Sequence, residues 1–162
     1  MKDKIEIREI KHSDNAALAT IVRNSLLEFN VAKPGTVFYD DTTDNLYELF
    51  QAKKSTYFVA EINQKVVGGA GIYPTNGLEN DTCELVKMYL SKPIRGIGLG
   101  KTLLQKCIDE AKLQGYKKIY LETMAELKLA IPMYEKFGFT FLQNPMGNSG
   151  HSGCDVWMMK EL

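Results

Sequence analysis

Between a β-rich run and a helical run the chain reads Arg95-Gly96-Ile97-Gly98-Leu99-Gly100-Lys101-Thr102, with glycine at alternate positions. Glycine lets several backbone N–H groups turn toward one concavity that no side chain then blocks. The helix that begins at once adds its unsatisfied N–H groups and the positive end of its dipole. A unit of this kind holds phosphate or pyrophosphate, and Arg95 and Lys101 add positive charge. The rest of the chain has to supply the strand that enters this turn and the helix that leaves it.

The flanking pattern does so. Ile5, Ile7 and Ile10, spaced by charged residues, predict an amphipathic edge-like strand. Ser13-Asp14-Asn15 offers an N-cap and an acidic first turn to a helix carrying Leu18, Ile21, Val22, Ser25, Leu26 and Phe29. Pro34-Gly35 ends that stretch, and Asp44 to Gln51 reads as a second short helix. Two β-rich runs, from Thr56 and from Lys65, join through Asn63-Gln64 as a hairpin. Gly68, Gly69 and Gly71 in the second run permit close approach of another backbone or a ligand. A strand from Cys83 to Leu90 leads into the glycine turn, and Leu103, Leu104, Cys107, Ile108 and Ala111 give the next helix its apolar face. Gly115 stands at its C′ position. A strand over Lys118 to Thr123, a helix over Leu127 to Phe137, and strands at Phe139 and Val156 complete one α/β domain over 1–162. Its first half is antiparallel, with a strand–helix–strand crossover in the middle.

Composition narrows the partners. Twenty basic residues balance twenty acidic ones, which removes the usual electrostatic reason to expect nucleic acid or an anionic membrane. Cys83, Cys107 and Cys154 stand singly, so neither a disulfide framework nor a zinc site is expected. The charged start and the lack of a long apolar stretch make a cytoplasmic protein the expectation.

Three phosphate-binding templates compete for the glycine turn. Gly100-Lys101-Thr102 matches the end of a Walker P-loop, but Arg95 stands where that motif needs its first glycine. A dinucleotide fingerprint needs GxGxxG, whereas the spacing here is GxGxG. Arg95-Gly96-Ile97-Gly98-Leu99-Gly100 fits [QR]xxGx[GA], and in this it resembles the acyl-coenzyme A loop of the GCN5-related N-acetyltransferases. Two further segments are similar to that family. Glu84 to Leu90 looks like the strand that enters the loop, and Ala130, Tyr134, Gly138 and Phe139 fit a later AxxxYxxxGF signature.

That resemblance implies a central, mostly antiparallel mixed sheet of about six to seven strands with flanking helices and a splayed fourth and fifth strand. It implies an enzyme that passes the acetyl group of acetyl-CoA directly to a primary amine, with no metal, as a monomer or homodimer. Pantetheine would lie in the splay against the backbone of Met88, Tyr89 and Leu90, with a β-bulge in that region and the Leu90 N–H donating to the thioester carbonyl. The pyrophosphate would sit on the segment from Arg95 through Ile97, Leu99 and Gly100 to Thr102, with Ala130 and Tyr134 beside the cofactor. Tyr134 would serve as general acid toward the departing thiolate, and Glu84 as the base that frees the amine. Glu122 and His151 stand as alternative bases. Family members often carry asparagine where Leu127 or Lys128 stands here, and Pro132 inside the last helix implies a bent or later start. Asp40-Asp41 would attract a cationic amine or form a solvated turn. The competing functions are an acyl-CoA sensor with little turnover and a P-loop phosphotransferase.

Overall fold

The computed structural model describes residues 2–125 and 129–162. Strand β1 (Ile5–Glu9) leads to helix α1 (Asn15–Glu28), and two 3-10 turns precede the short helix α2 (Leu46–Leu49). Then come β2 (Thr56–Ile62), β3 (Lys65–Tyr73), β4 (Thr82–Leu90), α3 (Leu99–Leu113), β5 (Lys118–Thr123), α4 (Ile131–Lys136), β6 (Thr140–Leu142) and β7 (Val156–Glu161). The seven strands form one sheet in the order β1-β2-β3-β4-β5-β7-β6, so β1 is an edge strand as its alternation predicts. β4 and β5 run parallel, and every other pairing is antiparallel. Asn63 and Gln64 both take positive φ, 51° and 69°, as a tight two-residue hairpin requires.

Alternation along β2 sends its side chains to two cores. Phe58 and Ala60 meet Leu103, Leu104, Cys107 and Ile108 of α3, together with Cys83 and Ile119 of the central strands. Tyr57 and Val59 face the opposite way, onto Leu18 of α1 and Leu46 of α2. Cys83 and Cys107 are thus buried apolar side chains, as expected. Among the described residues no helix is long and apolar enough to cross a membrane.

Three local readings change. Asp14 does not cap α1 with its side chain. Its carboxylate accepts bonds from both terminal nitrogens of Arg8, at 2.8 and 2.9 Å, and from the Lys11 N–H, at 2.7 Å. A bidentate guanidinium outcompetes a helix amide for a nearly buried carboxylate, and the bond ties the start of α1 to β1. The second helix is confined to Leu46–Leu49 because Asp41–Asp44 takes a 3-10 turn. The last helix spans Ile131–Lys136, later than the periodicity suggests, with Pro132 in its first turn, where no intrahelical N–H bond is lost. Leu127 and Lys128 lie outside the described residues.

The sheet opens where the site lies. β4 pairs with β5 only at Thr82↔Lys118, Cys83↔Ile119 and Glu84↔Tyr120. Beyond Glu84, β4 stays with β3 as far as Leu90, and β5 stays with β7 to Thr123. Each strand keeps its outer partner, so a gap opens between the two. This is the expected splay.

Candidate active site

The gap forms a cleft of about 500 Å³ bounded by β4, the glycine turn, β5 and α4. Its β4 wall contains a bulge. Gly69 pairs with Tyr89 but Gly71 pairs with Val86, so the β4 strand holds one residue more than β3 across this step. The extra turn falls at Lys87, whose φ is +50°, just before the Met88–Leu90 stretch that the sequence singles out. Ser91 donates to the Val67 carbonyl at 2.8 Å, which makes Val67 and Ser91 a hydrogen-bonded pair. The adjacent pair, Gly68 and Leu90, is then of the other kind, with the Leu90 N–H and C=O directed away from β3. The Leu90 carbonyl indeed accepts from Arg95 Nε at 3.2 Å, and the same alternation turns the Leu90 N–H to the side of the cleft, which Leu90 lines.

At the end of this wall Gly96 and Gly98 take φ of +88° and +87°, with nothing within 4 Å of where a Cβ would sit. These values require glycine, and the open space on both leaves their backbone accessible. Gly98 is the N-cap of α3, a helix of 15 residues, so the first α3 amides point out beside the cleft. Lys101 lies exposed at this mouth. Arg95 also lines the cleft, but its guanidinium is engaged by Glu28 at 2.7 Å and lies over the Phe29 ring. It braces the turn against α1. Of the other expected contacts, Leu99 is a core residue, Ile97 points to solvent, and Thr102 donates back to the Gly98 carbonyl. These three reach the cleft only through their backbone, if a ligand's phosphates approach it.

Across the gap, Ala130, Met133 and Tyr134 of α4 close the cleft. The signature residues have a structural reason. Gly138 (φ +94°) donates to the Glu135 carbonyl and Phe139 to the Tyr134 carbonyl, both at 3.0 Å. The Tyr134 and Phe139 rings meet at 5.8 Å. This is the Schellman ending of a helix, with its hydrophobic clasp. It fixes the Tyr134 ring so that the hydroxyl lies 4.0 Å from the Met88 sulfur, between the two strands. Burial raises the Tyr134 phenol well above its ordinary value, so it keeps its proton.

A smaller chamber of about 40 Å³ adjoins the cleft and shares Leu85, Lys87, Tyr89, Glu122 and Thr123 with it. Glu84, 3% exposed, accepts from the Thr75 hydroxyl at 2.6 Å. Glu122 accepts from the Tyr120 hydroxyl at 2.7 Å and from that of Ser149. Neither carboxylate has a cationic partner among the described residues. Burial pushes Glu84 up to about 7 against the Thr75 bond, and the Glu122 charge adds to the rise. His151 Nε2 meets Asp40 Oδ2 at 2.9 Å, and the buried Lys87 ammonium meets the same oxygen at 3.3 Å. The His151 bond, Lys87 and Thr42 hold the Asp40 carboxyl well below the usual range, against its burial.

Glu84, Glu122 and His151 each bring a ligand atom within 4.8 Å of the others. Sequence reading named all three as separate candidates; the fold brings them together. Asp40 is neither a solvated turn nor open to an amine, because His151 and Lys87 occupy it, whereas Asp41 is exposed. Sequence reading missed Lys87. A lysine inside the apolar run from Leu85 to Leu90 was the available signal.

The family model described as the Acetyltransferase (GNAT) family matches residues 22–139. An Escherichia coli K12 protein named uncharacterized N-acetyltransferase YjgM is 40% identical over 157 residues, covering 96% of this chain and 94% of its own. The crystal structure of a Staphylococcus aureus Mu50 acetyltransferase of the GNAT family superposes with a TM-score of 0.86 at 25% identity, over 98% and 99% of the two chains. A Salmonella typhimurium putative acetyltransferase, yncA, solved with acetyl-CoA, gives 0.77 at 24% identity over 98% and 94%.

Proposed function

Because the chain belongs to the acetyltransferase (GNAT) family, we propose that it carries the acetyl group of acetyl-CoA to a primary amine by direct attack in a ternary complex. The observation that carries this reading is the Leu90 N–H, turned into the β4–β5 gap between the glycine turn and the Glu84 chamber. In this reading the diphosphate sits on the amides of Gly96 to Lys101, where the α3 dipole and the Lys101 charge favour it. The pantetheine arm fills the gap along Met88–Leu90, and the Salmonella protein's acetyl-CoA supports that choice of donor.

Chemistry follows from the two ends of the gap. The acceptor arrives as an ammonium, drawn by two carboxylates that lack cationic partners. Glu84, with its proton affinity near 7, takes a proton from it, directly or through a water in the chamber. The neutral nitrogen attacks the thioester carbon, and the Leu90 N–H stabilises the oxyanion that forms. As the carbon–sulfur bond breaks, Tyr134 gives its proton to the sulfur and takes back the second proton of the attacking nitrogen, directly or through water, while Glu84 passes its own proton to solvent. The products are the N-acetylated amine and free CoA.

The test is release of CoA thiol from acetyl-CoA in the presence of a panel of primary amines, with product mass. The expected result is amine-dependent thiol release and a mass gain of one acetyl group. An acceptor panel that yields acetyl transfer only to hydroxyls or to water would overturn the choice of amine.

A further inference from the structure

Tyr57 belongs to β2 and lines neither the cleft nor the chamber, yet its hydroxyl donates to the Lys87 carbonyl of β4 at 2.7 Å. β3 lies between these strands, so the phenol has to cross it. The crossing accounts for two of the β3 glycines. A Cβ on Gly69 would stand 2.5 Å from a Tyr57 ring carbon, and one on Gly71 would stand 2.6 Å from another. Sequence reading expects a close approach there; the approaching group is this ring. Tyr57 is buried and packs on Phe50 at 5.0 Å between centroids, so the ring has little freedom to leave.

The carbonyl it holds belongs to the bulge. Lys87 is a non-glycine residue in the left-handed region, and a bulge residue sits outside the regular ladder. Two things hang on its orientation. Met88 to Leu90 follow directly, so the turn at Lys87 sets which way the Leu90 N–H faces. The Lys87 ammonium, in turn, reaches the Asp40 carboxylate that also holds His151. Backbone and side chain of one residue thereby join the donor wall to the acceptor chamber.

We infer that Tyr57 is a positioning residue for acyl transfer: its bond to the Lys87 carbonyl locks the bulge, and through it the Leu90 N–H and the Lys87–Asp40–His151 chain. This rests on the reading of the cleft as the acetyl-CoA site.

The molecule contains its own control. Tyr116 donates to the carbonyl of Lys54 at 2.7 Å in a less enclosed setting, and Lys54 is also left-handed, at φ +62°. Neither residue lines the cleft. Tyr57→Phe and Tyr116→Phe each delete one hydroxyl that holds a left-handed residue's carbonyl, and leave the ring in place. Both should lower the unfolding midpoint, Tyr57→Phe the more because its bond is the more enclosed. Tyr57→Phe alone should reduce kcat by about tenfold or more and speed amide hydrogen exchange at Met88–Leu90 in the free protein. Tyr116→Phe should stay within about twofold of the parent in kcat. Equal turnover in the two variants, at either level, would overturn the inference. A parent chain that binds no acetyl-CoA would defeat the reading of the cleft instead. The exchange experiment then decides alone, and unchanged exchange at Met88–Leu90 in Tyr57→Phe would refute the brace.

Discussion

Nε2 of His151 lies 2.9 Å from Oδ2 of Asp40, although 111 residues separate them. The bond fastens the loop before β7 to the segment between α1 and α2, and the Gly153 N–H reinforces it by donating to the Gly35 carbonyl at 2.7 Å. Lys87 depends on the same carboxylate, and its side chain is only 3% exposed. Asp40→Ala should therefore cost about 3 kcal/mol in urea denaturation, since it strands a buried ammonium. Adding Lys87→Met should recover a large part of that loss. A single-variant loss below about 1 kcal/mol would mean that the pair is solvated and does not hold the loops.

Glu84 titrates in the wrong range for a carboxylate, and stability should show it. Its carboxyl rises from an ordinary 4.5 to about 7 in the folded chain. Folded protein then binds a proton that the unfolded chain releases, so its contribution favours folding at low pH and is lost as pH rises through 7. At full extent this amounts to roughly 3 kcal/mol. Glu84→Gln should be relatively more stable than the parent at pH 8 than at pH 5, by thermal denaturation. The kcat/KM of the parent should rise with pH through an inflection near 7, and the glutamine variant should lack that limb. A parent profile flat across this range would remove Glu84 as the base.

Tyr134→Phe keeps the helix ending, because the Schellman bonds are made by backbone and the ring still meets Phe139. Turnover should fall about a hundredfold, with little change in affinity for acetyl-CoA or in unfolding midpoint. Parallel losses in turnover and affinity would make Tyr134 a packing residue.

Gly98→Asp places a carboxylate, in a strained left-handed position, beside the amides assigned to the diphosphate. Affinity for acetyl-CoA should drop by about a hundredfold or more, worth roughly 3 kcal/mol. Calorimetry with the variant measures this, and an unchanged affinity would place the phosphates elsewhere.

These predictions draw on features of unequal visibility in the sequence. The glycine turn and the AxxxYxxxGF signature were legible because each encodes a backbone requirement: positive φ at Gly96, Gly98 and Gly138, and a hydrophobic clasp between Tyr134 and Phe139. The hairpin at Asn63-Gln64 was legible for the same reason. The start of the last helix was not, because its apolar spacing carries on upstream of Ile131 while Pro132 fits only a first turn. Asp14 looked like a cap because its partner, Arg8, is local neither to the helix nor to its pattern. The Lys87–Asp40–His151 chain and the Tyr57 brace join residues 30 to 111 positions apart, and no periodicity reports such pairings. What could be seen was only their residue: a charged side chain in a buried strand, and glycines where β3 would otherwise prefer branched residues.

Calorimetric titration of the protein with acetyl-CoA, beside magnesium-ATP, tests the cleft itself. One site per chain with micromolar affinity for acetyl-CoA, and no heat from the nucleotide, is the expected result. Binding of neither, or of ATP alone, would contradict it, because the glycine turn and the β4–β5 gap would then hold something other than a coenzyme A thioester.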